Sequence, residues 1–206
     1  MNSKYFEALT DKERRLFRAL NTPPKIQDFL NSLPINMEKN GETLMSPRLA
    51  LKNNKAHCTE GALLAAAILW YHGKDPILLD FQATKNDWNH AVAIFNKGKY
   101  YGAISKTNHV VLRYREPIYK SIRELALSYF HEYYLDNGYK TLRTYSKPFH
   151  LKNLGSDWIT DENDLWYIDE MLDKIKHFPI LNKSQIRVLR RVDPIEIEAG
   201  KLTEWK

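Results

Sequence analysis

The sequence predicts an α+β protein in which one buried helix packs on an antiparallel sheet, with helical additions at both ends of the chain. Residues 62–69 are apolar on nearly every side, which is typical of a buried helix. Two short apolar segments follow, PILLDF at 76–81 and HAVAIF at 90–95, and they have the length of strands. Further helical patterns lie before and after these strands, a segregation typical of α+β proteins.

Residues 1–45 are predicted to form helices on the N-terminal side of the core. Thr10 and Glu13 have the spacing of a capping box and precede a periodic apolar run. The paired prolines that follow end this helix, and a second helix is expected at 25–33. Residues 34–45 are expected to be a loop.

The core is expected at about 46–145. After a short helix at 47–51, its elements are the helix at 58–72, strands at 76–81 and 90–95, a hairpin turn at 96–99 and strands at 100–104 and 109–114. A second capping box, at Ser121 and Glu124, opens a long aromatic helix at 122–135, and a strand is expected at 140–145.

Residues 146–206 are predicted to be a C-terminal extension of the same single domain, 1–206. Apolar residues at helical spacing predict a helix at 161–178. A strand beginning near Gln185 and a short helix beginning near Pro194 are expected to complete the chain.

Composition limits the classes of function. The net charge of +6 arises from basic residues scattered among acidic ones, whereas a nucleic-acid reader usually gathers its charge on one face. A nucleic-acid partner is therefore not favoured, although a basic nucleic-acid-binding protein stays as a third hypothesis. The single cysteine excludes an internal disulfide and a multi-thiolate zinc site. Because no HExxH motif or phosphate-binding glycine loop is found, no metal or cofactor is predicted.

The N-terminal residues carry charges throughout and lack the apolar core of a signal peptide. The longest apolar run, residues 62–71, is about half of what a membrane span needs. The sequence therefore predicts a cytoplasmic protein with no membrane association and a reduced thiol. It leaves the oligomeric state open.

Cys58 is the candidate nucleophile because it lies where a loop meets the buried helix. Free amide N–H groups at a helix N-terminus favour a thiolate and can stabilise an oxyanion. A thiolate nucleophile also needs an imidazole beside it. Among seven histidines, His90 is the best candidate because it begins a strand after a loop. The side chain of His57, next in sequence to Cys58, is expected to point elsewhere.

The segment Cys58-Thr59-Glu60-Gly61-Ala62, opening an Ala/Leu-rich helix, resembles the nucleophile segment of the transglutaminase-like superfamily of cysteine enzymes. His90 follows Cys58 by 32 residues and begins a strand, as the histidine of that superfamily does. The resemblance covers residues 56–108. It implies a papain/transglutaminase-like core and a catalytic Cys58–His90 pair.

In the superfamily an aspartate follows on the next strand, and here that position is Ser105. Either Ser105 or Asn108 is expected to orient His90, with Asp80 and Asp87 as remoter choices. By analogy with the superfamily, Gln27 is expected to supply an oxyanion donor.

Aromatic residues near these positions are candidates for the walls of a substrate cleft; they are Trp88 and Tyr101, together with Tyr100.

The leading functional prediction is a cysteine-dependent acyl-transfer enzyme, a peptidase, amidase or transglutaminase-like protein, acting on a peptide or protein amide. The alternative is a catalytically weakened member of the same fold that binds a peptide or protein, since the expected aspartate is missing. The sequence does not distinguish hydrolysis from transfer to an amine.

Overall fold

A computed structural model describes residues 3–39 and 41–204. The N-terminal part and the central helix comprise α1 (Asp11–Ala19), α2 (Pro23–Ser32), α3 (Pro47–Asn53) and α4 (Cys58–Tyr71). The sheet strands and the helix that follows them are β1 (Ile77–Gln82), β2 (His90–Lys97), β3 (Tyr100–Ile104), β4 (Arg115–Tyr119) and α5 (Ile122–Phe130). The remaining elements are β5 (Thr144–Ser146), β6 (Phe149–His150), α6 (Trp166–Lys174), β7 (His177–Pro179), α7 (Lys183–Arg187) and α8 (Pro194–Gly200).

The strands form one antiparallel sheet in the order β4-β3-β2-β1-β5-β7, with β6 also paired to β1. Strand β2 pairs with β1 from Phe81 opposite His90 to Ile77 opposite Ile94. A tight turn with Gly98 at φ +62° joins β2 to β3, as the sequence predicts. The α+β class with an antiparallel sheet is confirmed.

Helices cover both faces of this sheet. Alternation along the strands sends Leu78 and Ala93 toward α4, and Leu79 and Val92 toward α5. Every residue of α4 from Glu60 onward is buried, which agrees with its apolar sequence. Helices α1 and α2 pack against α4 as well, so the nucleophile helix lies in the centre of the larger core.

Several predicted helices are observed with their caps. Thr10 and Glu13 form the capping box that opens α1, the side chain of each accepting from the backbone of the other. Helix α4 begins at Cys58 and α8 at Pro194, as predicted. At Ser121 the box is incomplete: its hydroxyl accepts from Glu124 N, whereas the Glu124 carboxylate accepts from Lys120 N.

Two predictions near the site are wrong. Residues 109–114 form no strand, because the chain bends at Leu112, whose φ is +59°, and β4 begins only at Arg115. The helix predicted at 122–135 stops at Phe130. Beyond it, Tyr133 O accepts from Thr141 N and Tyr134 pairs with Lys140, so this backbone is used in pairing with the next segment. Because residues 140 and 141 take part in that pairing, β5 begins at Thr144 and not at the predicted residue 140.

In the C-terminal extension, the helix predicted at 161–178 is shorter at both ends. Leu165 N donates to Leu44 O, which draws this segment onto the N-terminal loop, and α6 starts only at Trp166. The segment at 177–179 joins the sheet as β7 instead. The strand predicted near Gln185 is the helix α7, which Asn182 caps by accepting from Gln185 N.

Candidate active site

Cys58 is the first residue of α4, and the preceding His57 is extended at φ −89°. The amide N–H groups of this first turn lack partners within the helix and point toward the helix start. Cys58 is half-buried. Its position therefore combines a thiol with the N–H groups and the positive end of a buried helix.

A wholly buried carboxylate anchors this helix start. Glu60 accepts hydrogen bonds from His57 N (2.8 Å) and Met45 N (2.9 Å), and from the side chains of Thr43 (2.8 Å) and Asn36 (3.1 Å). The loop between α2 and α3 is thereby fastened to the first turn of α4. Because these contacts go to buried or half-buried groups, removing this carboxylate would leave several donors unpaired.

His57 lies against the thiol, so the expectation that its side chain points elsewhere is wrong. Its Nε2 lies 2.9 Å from Thr43 O and donates to that carbonyl, while Nδ1 lies 3.2 Å from Thr59 N. Burial opposes a charged imidazole, but hydrogen bonding to Cys58 and the charges of Cys58 and Glu60 raise the pKa of His57 to about 9. When the ring is neutral, Nδ1 accepts from Thr59 N, and when the ring is protonated its positive charge lies beside Cys58.

His90 reaches the same sulfur from the start of β2. Burial alone would raise the pKa of the Cys58 thiol, yet hydrogen bonds from His57 and His90, and their positive charge, hold it well below its ordinary value. A thiolate between two imidazoles is a competent nucleophile, and an imidazole beside it can carry a proton. The structure thus brings His90 close enough to Cys58 to lower the pKa of its thiol.

Ser105 lies on the far side of the His90 ring. Its Oγ is 2.8 Å from His90 Nε2 and donates to Leu112 O at 2.5 Å. Because the hydroxyl hydrogen is already used, Oγ accepts from Nε2–H. The Nδ1 of neutral His90 is then unprotonated, and this is the nitrogen that can take the thiol proton.

Gln27 holds the backbone of Ser105 in place. Its Oε1 accepts from Ser105 N at 2.9 Å, and its Nε2 donates to Ser105 O and to Asn31 Oδ1, both at 2.8 Å. Both N–H groups of the amide are therefore used. The prediction that Gln27 donates to an oxyanion is wrong, and its place in the site is that of a positioning residue.

Helix α4 and the segment after β3 approach closely at Gly61. A Cβ at this position would lie 2.4 Å from Lys106 Cβ, which is closer than two carbon atoms pack. The buried Lys106 donates from Nζ to Leu33 O at 2.6 Å. The missing side chain at Gly61 lets the chain beside Ser105 pack directly on the nucleophile helix.

Two cavities meet at Cys58. The smaller, of about 430 Å³, also contacts His90 and Tyr133, and the larger, of about 650 Å³, also contacts Thr43 and Trp166. Five residues line both cavities: His57, Cys58, Asp87, Trp88 and Asn89. The thiol therefore lies in the middle of a cleft that continues on both sides.

The other predicted residues are scattered. Trp88 is 85% exposed at the rim of both cavities, and Asn108 lines the smaller one. Ser105, not Asn108, contacts the His90 ring. Tyr101 pairs with Asn96 and lines a cavity at the opposite end of the sheet, so its prediction as a wall of the cleft is wrong.

The two remoter acids do not orient His90. Asp80 binds His177 Nε2 at 3.0 Å, and Asp87 accepts from Trp88 N at 2.8 Å and from the hydroxyl of Thr141. The Tyr133 hydroxyl donates to Trp88 O at 2.5 Å. Asp87 and Tyr133 thus hold the loop that precedes His90.

Sequence reasoning missed His57 and Glu60. The spacing of His57 and Glu60 is that of a capping box, and Glu60 does accept from His57 N. That spacing is the sequence signal from which both side chains could have been placed at the helix start.

Within residues 3–39 and 41–204, no group of three or more histidine, cysteine, aspartate or glutamate side chains is arranged to hold a metal ion. Over the same residues, no helix has the length and apolar character needed to cross a membrane. No protein-family model matches this sequence, and no curated protein matches it significantly.

Proposed function

We propose that this protein is a cysteine-dependent acyl-transfer enzyme in which Cys58 is the nucleophile and His90 the general base and acid. The observation that carries the proposal is the chain of contacts from Cys58 through the His90 ring to the Ser105 hydroxyl, at the meeting point of two cavities. The order of these elements also supports the transglutaminase-like resemblance and its papain-like core.

In the proposed reaction, the Cys58 thiol proton goes to His90 Nδ1 and the thiolate attacks the carbonyl carbon of an amide or ester. N–H groups in the first turn of α4 stabilise the resulting oxyanion. The carbon–nitrogen or carbon–oxygen bond then breaks, and His90 returns the proton to the leaving amine or alcohol. The thioester left on Cys58 is attacked by water or an amine, whose proton passes to His90 and then back to the sulfur.

His57 assists the proposed reaction by its charge and not by transferring a proton. Its Nε2 remains bound to Thr43 O, and when Nδ1 is protonated its positive charge lies against the sulfur. It therefore stabilises the thiolate without needing to release its proton. We assign His57 as a positioning and charge-stabilising residue and His90 as the proton carrier, because only His90 has a neutral hydroxyl partner behind its ring.

The proposal is tested by trapping the acyl-enzyme. The protein is mixed with p-nitrophenyl acetate, and peptide mass spectrometry locates any acetyl group, whose thioester bond neutral hydroxylamine cleaves. We expect a rapid burst of p-nitrophenol with acetylation of Cys58, a burst that is lost in Cys58→Ala and slowed in His90→Ala. Equal nitrophenol release by Cys58→Ala, or acetylation confined to lysines, would overturn the proposal.

One observation favours a second function. The group behind His90 is a hydroxyl, which orients an imidazole but does not stabilise imidazolium as a carboxylate does. A protein that binds a peptide in the same cleft and turns it over slowly would fit this feature. It would form the acetyl-Cys58 adduct but release it no faster than a thioester hydrolyses in buffer.

A further inference from the structure

The larger cavity beside Cys58 has an acidic wall. Four carboxylates line it: Glu38, Glu42, Asp87 and Asp169. Among the described residues of this wall, positive charge comes from Lys85 and from His57, and His57 lies against the Cys58 thiol and 3.4 Å from the buried Glu60 carboxylate. Because the chain as a whole carries a net charge of +6, this part of the cleft differs in sign from the rest of the molecule.

Two of these carboxylates are used inside the protein and two are open to a ligand. Glu38 accepts from Thr43 N at 2.7 Å, and Asp87 accepts from the Trp88 backbone. Glu42 and Asp169 are exposed. They approach the cavity from different elements, Glu42 from the loop before α3 and Asp169 from α6.

The surroundings of Asp169 favour a cation. Partial burial of its carboxylate and the nearby carboxylates of Asp173 and Asp80 raise the pKa of Asp169, while the positive charge of His57 lowers it. Repulsion among these acids is relieved when a positive charge enters the cavity. A phosphate or another anion would add to that repulsion.

Two exposed tryptophans add a second feature that suits a cation. Trp88 is 85% exposed and Trp166 is 42% exposed, and both line this cavity. The face of an indole ring attracts ammonium and guanidinium groups. Exposed indoles next to carboxylates therefore match a lysine or arginine side chain, whose long apolar stem can also lie along a ring.

We propose that the larger cavity binds a lysine or arginine side chain of the substrate next to the acyl group that Cys58 attacks. The inference rests on the proposed function for the acyl group, but the preference for positive charge is a property of the cavity alone. Glu42, Asp169 and Trp166 are the specificity-determining residues. The amide or ester chemistry itself is unchanged by this assignment.

The preference is measured on the single thiol with three methanethiosulfonate reagents that differ in charge. One carries a trimethylammonium group, one a sulfonate and one only a methyl group. The Cys58 thiolate attacks the thioalkyl sulfur of each reagent, forming a mixed disulfide as the sulfur–sulfonyl bond breaks and methanesulfinate leaves. Rates are divided by those for 2-mercaptoethanol, a thiol with no charged group besides its sulfur, so that the intrinsic reactivity of each reagent cancels.

In the wild type we expect the cationic reagent to react roughly tenfold or more faster than the anionic one at low salt, with the ratio falling as salt is added. The double variant Glu42→Gln, Asp169→Asn should lose most of this ratio. Glu170→Gln is the matched control, since Glu170 lies next to Asp169 on α6, pairs with Lys174 and does not line the cavity. This control should keep the wild-type ratio.

Equal rates for the two charged reagents, or a ratio unchanged in the double variant, would overturn the inference. The uncharged reagent reports separately on the proposed function. If Cys58 reacts slowly with it while the charge ratio persists, the catalytic proposal fails and the cationic preference stands. If Cys58 reacts fast with all three reagents and does not discriminate between charges, the cationic preference fails and the catalytic proposal stands.

A second arm uses a matched pair of acyl donors, an arginine ester and its citrulline counterpart, which has the same shape without the charge. We expect the arginine ester to acylate Cys58 faster, and the difference to shrink in Trp166→Leu. Equal acylation by both esters would contradict the assignment of this cavity to a basic side chain.

Discussion

The Nε2 atom of His90 lies 2.8 Å from Ser105 Oγ, whose own hydrogen is donated to Leu112 O. This pair fixes the ring tautomer, because a hydroxyl that has already donated can only accept. It also explains why the bend at Leu112 takes the place of the predicted strand at 109–114: the carbonyl of Leu112 must face the Ser105 side chain.

Replacing Ser105 by alanine should slow the reaction of Cys58 near neutral pH by about fivefold, the equivalent of one hydrogen bond of about 1 kcal/mol. The ring of His90 would keep its place in the core but lose the contact that selects its tautomer. Iodoacetamide alkylation of the single thiol measures the effect. Asn108→Ala is the control, since Ser105 is the residue in contact with the ring. If alkylation is slower in Asn108→Ala and unchanged in Ser105→Ala, Ser105 is not the orienting group.

Replacing Gly61 by alanine should destabilise the protein and weaken the site together. The added Cβ would lie 2.4 Å from Lys106 Cβ, so α4 and the segment after β3 must separate. Overpacking of this kind costs roughly 1–3 kcal/mol, against up to about 1 kcal/mol gained from the better helix propensity of alanine. Urea unfolding and alkylation rates measure the two effects.

The same position offers an internal check. Lys106→Ala removes Cγ, 2.9 Å from the added Cβ, but retains Cβ at 2.4 Å and should relieve the Gly61→Ala overlap only slightly, whereas Lys106→Gly removes both atoms and should relieve more of it. If Gly61→Ala proves as stable and as reactive as the wild type, the close approach of these two segments is not a constraint on the site.

Below about pH 6.5, the free energy of unfolding should decrease as the pH is lowered, because of Cys58. A thiol whose pKa is lowered on folding contributes stability above its unfolded value of about 8.5 and loses it as the pH falls toward its folded pKa. His57, whose pKa rises from 6.5 to about 9, contributes fully below 6.5 and loses its contribution as the pH rises through 9.

Between about pH 6.5 and 8.5, Cys58 and His57 change the free energy of unfolding with pH in opposite directions, and the two changes cancel. Below about pH 6.5 only the contribution of the thiol still changes, by at most about 1.4 kcal/mol per pH unit. Urea unfolding of the wild type and Cys58→Ala across this range measures the combined contribution of the thiol and of the His57 charge that it stabilises, because the remaining titrating groups are common to both proteins. A stability difference that stays constant from neutral to acidic pH would show that folding does not lower the thiol pKa.

The elements that could be predicted from the sequence are those indicated by a local pattern of residues. The apolar residues on nearly all sides of 62–69 predict the buried α4, and the apolar segment at 90–95 and the turn at Gly98 predict the β2–β3 hairpin. The spacing from Cys58 to His90 and on to Ser105 brought all three residues into one prediction. These signals come from neighbours along the chain or from the resemblance.

What the sequence could not supply depends on contacts between distant segments. The amide of Gln27 is 78 residues from Ser105, and nothing in its helix indicates that it holds that backbone. The helix predicted at 161–178 begins late because Leu165 pairs with Leu44 across the molecule. Tyr101 carries the aromatic character of a cleft wall, but its strand register places it at the other end of the sheet.

The most direct test of the account is the rate at which iodoacetamide alkylates Cys58 at pH 6, compared with glutathione, in the wild type, His90→Ala and His57→Asn. Asparagine is a favoured N-cap, so His57→Asn retains the helix start while removing the imidazole. At this pH a free thiol is almost wholly protonated, and we expect Cys58 to react at least about tenfold faster than glutathione. Both variants should lose part of that advantage. A wild-type rate no faster than that of glutathione would contradict the claim that two imidazoles hold this sulfur as a thiolate.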